Sequence, residues 1–111
     1  MITIQILPQL LNQQEFECWL LTKKKSDYVG MRATAYCCPI ANWLKESYNV
    51  SVDIHGSEII WSQNKIESPA WIKDFVKQVD LKKQHSTFCT TQEALVILGL
   101  IMNNEAISRQ V

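Results

Sequence analysis

Between Cys37 and Trp61 the spacing of apolar residues changes from steps of three and four to strict alternation, a switch that few folds accommodate. Pro39 lacks an N–H and fits only the first turn of a helix, so a helix starting at Cys37 or Cys38 is predicted over 38–48. Ile40, Ala41, Leu44 and Tyr48 then share one stripe, while Asn42, Lys45 and Glu46 face water. Val50, Val52 and Ile54 alternate with Ser51 and Asp53, and His55-Gly56-Ser57 leads into Glu58-Ile59-Ile60-Trp61. This is the pattern of a β-hairpin over 50–61. A helix feeding a hairpin places the chain in the α+β class: a small antiparallel sheet packed by three to four helices.

The flanking segments supply the other helices. Ser68 as N-cap and Pro69 at the first helical position open a helix over 68–80, with Trp71, Ile72, Phe75, Val76 and Val79 on one face. Thr90 and Glu93 form a capping box ahead of a helix over 91–103, beyond which the chain is expected to fray. Gly99 inside that helix costs about 1 kcal/mol relative to Ala and implies close packing or a kink. Asn12 and Glu15 make another capping box, which favours a helix with Phe16, Trp19 and Leu20 on one face. The same stretch also reads as a strand carrying Phe16, Cys18 and Leu20. Ile2, Ile4 and Ile6 alternate before Pro8 and predict a strand over 2–7. Lys23 to Asp27 and residues 82–87 read as polar loops, and Gly30 as the point where the chain turns before the central helix.

A chain of 111 residues buries roughly two thirds of its unfolded surface and forms one core, so a single domain over 1–111 is expected. Eleven basic residues balance eleven acidic ones, which leaves no global field to hold a polyanion and argues against nucleic acid as a partner. Lys23, Lys24 and Lys25 form the one dense basic run, and a run that short reads as solvation. The apolar stretch at 94–102 is half the roughly 20 residues that span a bilayer, so it reads as core, with no membrane role. The first residues lack a basic region and a cleavage site, and a cytoplasmic location is expected. In that setting Cys18, Cys37, Cys38 and Cys89 stay thiols, and the sequon at Asn49 is idle.

Chemistry-bearing residues are few. A cysteine at a helix start meets the positive end of the dipole and free N–H groups, which favour the thiolate; Cys37 and Cys38 are therefore the candidates for a reactive thiol. The plainer reading makes them small buried hydrophobes. A thiol enzyme would need a base, and only His55, at the hairpin tip, and His85, in a charged loop, are on offer. The cysteine and histidine spacings match no zinc pattern, and no phosphate-binding or dinucleotide motif is present, so no metal or cofactor is expected. Trp43 lies off the helical stripe and Trp61 ends a strand beside polar residues. Half-buried tryptophans anchor interfaces, so Trp43, Trp61 and the tip residue His55 are the interaction candidates. Capping the edge of a small core is the alternative for both indoles.

Cys-Pro-Ile-Ala at 38–41 with Trp-Leu-Lys at 43–45, Val-Ser-Val-Asp-Ile at 50–54, Ser-Pro-Ala-Trp-Ile-Lys-Asp-Phe at 68–75, Val-Asp at 79–80 and Thr-Thr-Gln-Glu-Ala-Leu at 90–95 resemble small uncharacterised bacterial and phage proteins. Those proteins share a Cys-Pro-[Ile/Val]-Ala helix followed by a hairpin and a proline-led helix. The resemblance covers residues 32–98 and implies a common fold and a phage or mobile-element origin, with no activity attached. The resulting expectation is a small intracellular protein–protein interaction or regulatory module, acting on a protein partner or as a homodimer. A thiol-dependent enzyme or redox sensor at Cys37 and Cys38 is the alternative.

Overall fold

The computed structural model describes residues 6–81 and 87–110, with side chains to residue 102. The fold is α+β, with a two-stranded and a three-stranded antiparallel sheet and the helices gathered round one core. A short helix α1, Leu7–Leu10, leads into α2, Gln13–Leu21. The Glu15 N–H donates to Asn12 Oδ1 at 3.1 Å, so the N-cap decides between the two readings of this stretch. Phe16, Trp19 and Leu20 are buried and Cys18 is exposed, as a helix requires. Of the strand expected over 2–7, residues 2–5 lie outside the described residues and Leu7 opens α1 instead, because Pro8 sits favourably in a first helical turn.

Strand β1, Tyr28–Met31, follows the lysine loop and pairs antiparallel with β5, Phe88–Thr90. Gly30 does not turn the chain there. It is buried inside β1, where an added Cβ would lie 2.4 Å from the Pro39 nitrogen and 2.7 Å from the Cys38 carbonyl carbon, so only glycine lets α3 approach. Helix α3, Pro39–Tyr48, has Cys38 as N-cap and ends where Asn49 adopts the left-handed conformation.

The hairpin forms from β2, Asp53–Ile54, and β3, Glu58–Trp61, with Gly56 at positive φ in the connection. Val50, Val52 and Ile54 are buried and Ser51 and Asp53 exposed, which is the alternation expected. A third strand, β4, Asn64–Glu67, pairs with β3 through a two-residue turn in which Ser62 and Gln63 both take positive φ. That turn geometry matches the twist of paired strands but usually employs Asn-Gly or Gly, so the sequence carried no signal for it.

Helix α4, Ala70–Leu81, buries Trp71, Ile72, Phe75 and Val79. Ser68 does not cap it: its hydroxyl is buried without a hydrogen-bond partner. Helix α5, Thr91–Gln110, opens on the predicted capping box, with the Glu93 N–H donating to Thr90 Oγ1 at 3.2 Å and the Thr90 N–H donating to Glu93 Oε1 at 3.3 Å. It continues to Gln110, past the expected end at 103. Among the described residues an added Cβ at Gly99 would meet nothing within 4 Å, so close packing against them is not what that glycine serves.

Candidate functional site

The elements that follow the lysine loop bring Cys38 and His55 together and set Trp43 and Trp61 apart from them. Trp43 is not half-buried. It is 1% exposed and stands among Phe16 at 5.3 Å, Tyr48 at 6.0 Å and Trp71 at 6.3 Å, centroid to centroid. Helix α3 is covered on two sides, so the residue beside the Ile40–Leu44 stripe meets the aromatic faces of α2 and α4 instead of water. Trp43 is therefore a core residue. Trp61 is half-buried against the core edge, as expected, and His55 is exposed at the hairpin tip.

Cys38 and His55 do share a place: both line a cavity of about 290 Å³ between the 33–38 segment, the hairpin tip and α4, together with Thr34, Val76 and Asp80. The chemistry there opposes the reactive-thiol expectation. Cys38 is buried, and burial pushes its thiol up to about 11; the Asp80 and Cys37 charges push the same way, against the Ala41 and Ile40 N–H groups that favour the thiolate. Desolvation outweighs the helix start, and the thiol stays protonated at neutral pH. Asp80 is engaged structurally, its Oδ1 accepting the N–H of Ala33, a residue at positive φ, at 2.8 Å. Cys37 is half-buried and does not line this cavity. Iodoacetamide at neutral pH is therefore expected to label Cys18 fast, while Cys38 and Cys89, both buried with thiols raised to about 11, react only on unfolding. Mass spectrometry of timed samples checks this, and fast labelling of Cys38 in the folded protein would reinstate the thiol reading.

The lysine run is partly consumed by the fold. Lys23 pairs with Glu46 and lies 5.2 Å from the Trp19 ring centroid, at the edge of a polar groove of about 570 Å³ between α2, α3 and β1. The bond from Lys23 holds the Glu46 carboxyl below its ordinary range. Among the described residues no group of three His, Cys, Asp or Glu is placed to hold a metal ion, and no helix is long and apolar enough to cross a membrane.

The surface that composition did not locate is on α5. Ala94, Ile97, Leu98 and Ile101 are buried, yet Val96 and Leu100 on the opposite side are 54% and 50% exposed, and Met102 at the flank is 40% exposed. Leu95 is half-buried beside them, and Gly99 lies on the same side with open space around it. The run at 94–102 is thus not all core: a helix apolar on every side has more hydrophobic surface than one core contact covers. A second exposed apolar spot is the pair of Tyr28 and Phe88, with ring centroids 5.0 Å apart on the β1–β5 sheet. The sequence signal for α5 was the absence of any polar residue between Glu93 and Asn103. No protein-family model matches the chain, and no match to a curated protein or a solved structure is found.

Proposed function

We propose that this chain is a small protein-binding module whose docking face is the outer side of α5, taking a partner that presents an uncharged, apolar helical surface. The observation that carries the reading is the solvent-facing stripe of Val96, Leu100 and Met102 with Leu95 and Gly99 between them. Glu93, the carboxylate beside Val96, is already paired with Arg32, so a charge buried against the stripe would lose hydration without gaining a free counter-charge. Trp61 lies half-buried on the core edge and is available to a partner only as rim. His55, exposed beside a protonated thiol, contributes a polar tip and no chemistry.

The test is a photo-crosslinking amino acid placed at Val96 in the full chain, expressed in its native host, with a second version placed at the exposed Lys77 on α4 as control. A discrete protein adduct from position 96 and none from position 77 is expected. Absence of any discrete adduct from position 96 would sink the docking face.

A further inference from the structure

We infer that residues 33–36 form a lid over the cavity behind the hairpin tip, latched shut by the Asp80 carboxylate on the Ala33 N–H. Both ends of the lid are fixed. On one side Arg32 is buried and its Nη1 donates to the Val79 carbonyl at 3.1 Å. On the other the Cys37 carbonyl accepts the Met31 N–H at 2.9 Å, and Cys38 caps α3. Between these anchors no side chain is buried: Ala33 and Tyr36 are exposed, and Thr34 and Ala35 half-buried. Little apolar surface therefore holds the segment down, which is the mark of a part that opens below the cost of global unfolding. Its ties to α4 and the hairpin are the Ala33 N–H on Asp80 Oδ1 at 2.8 Å and the Ala35 carbonyl accepting the Ile54 N–H at 2.9 Å.

The latch holds a backbone that alanine does not choose. Ala33 has a φ of 54°, in the left-handed region. A residue with a Cβ disfavours that region by roughly tenfold or more. The charge-assisted bond to Asp80 offsets the bias; without it Ala33 returns to negative φ and carries residues 34–36 away from their present place. Ala33, Thr34 and Ala35 line the same cavity of about 290 Å³ as Cys38 and His55, so that movement uncovers a thiol that is 6% exposed while the lid is shut.

Timed alkylation of the folded full chain with iodoacetamide at neutral pH, followed by mass spectrometry, reads the lid at Cys38. Cys89, 0% exposed in β5, reports opening of the core in the same samples. Asp80→Ala is expected to speed labelling of Cys38 at least about tenfold with Cys89 unchanged. The Asp80 charge also disfavours the Cys38 thiolate, and Asp80→Asn separates that effect from the latch. Asparagine keeps an oxygen for the Ala33 N–H without the charge, so Cys38 is expected to label within about threefold of wild type. Adding Ala33→Gly to Asp80→Ala is expected to bring Cys38 back to within about threefold of wild type, because glycine takes positive φ without strain and shuts the lid unaided. Cys38 labelling in Asp80→Ala as slow as in wild type overturns the lid. Asp80→Asn labelling as fast as Asp80→Ala makes the effect one of charge and overturns the latch, and failure of glycine to restore slow labelling overturns it too. Cys89 rising in step with Cys38 makes Asp80 a support of the whole fold and overturns the inference as well.

Discussion

Trp43→Ala is expected to lower the stability of the fold by about 3–5 kcal/mol, the range for removing a fully buried aromatic side chain. Trp43 is among the largest buried side chains, in ring contact with Phe16 from α2, Tyr48 from its own helix and Trp71 from α4. Its loss opens a cavity that three elements line, and none of them can collapse into it without leaving its other contacts. Against a total stability of about 5–15 kcal/mol for a domain of this kind, the variant is expected to be partly unfolded at 37 °C. Urea titration followed by tryptophan fluorescence and circular dichroism reads the result as a lower midpoint with an unchanged slope. A shift below about 1 kcal/mol would mean that the indole is not at the centre of the core.

The second large effect is expected at Arg32, which is 3% exposed. Its Nη1 donates to the Val79 carbonyl at 3.1 Å, its Nη2 pairs with the Glu93 carboxylate, and its backbone N–H donates to the Thr87 carbonyl at 2.7 Å. The side chain thus joins the last turn of α4 to the first turn of α5, while the backbone ties the residue after β1 to the residue before β5. Arg32→Ala removes the buried stem as well as the charge, and the expected cost is about 3 kcal/mol, at the lower end for a broken buried pair because Glu93 reaches solvent. Burial pushes the Glu93 carboxyl up, but the Thr90 N–H and hydroxyl and the Arg32 guanidinium outweigh it and hold it below the ordinary carboxylate range. A depressed folded value means that this contribution is complete above the unfolded value of about 4.3 and disappears as pH falls through the folded one. The stability difference between wild type and Glu93→Gln, measured by urea titration from neutral to acid pH, is therefore expected to shrink on acidification. A difference that grows toward acid pH would show the opposite shift.

What the sequence made legible was what local hydrogen bonding decides. The cap at Asn12 and the box at Thr90–Glu93 close within three residues, and Pro39 and Pro69 mark helix starts whatever lies around them. Trp43 was misplaced because its burial depends on α2 and α4 arriving from elsewhere, which an angle on one helical wheel does not contain. Strands β1 and β5 are short, and β4 carries a single apolar residue, so each exists through its partner more than through its own pattern. At Cys38 two opposed effects meet: the helix start is real, but burial has the larger effect, while Cys37 is half-buried outside that cavity. The exposed side of α5 was in plain view as an uninterrupted apolar run, and reading it as core followed from assuming that the monomer covers all of it.

The pairing of β1 with β5 has a consequence for synthesis. Tyr28 lies opposite Thr90, and the N–H groups of Thr91 and Gln92 reach back to the carbonyls of Asp27 and Lys25. Strand β1 therefore lacks its sheet partner until the residues of β5 have left the exit tunnel, although α2 meets α3 and α4 earlier. A nascent chain stalled with β5 and α5 still inside the tunnel would leave the edge of β1 unpaired.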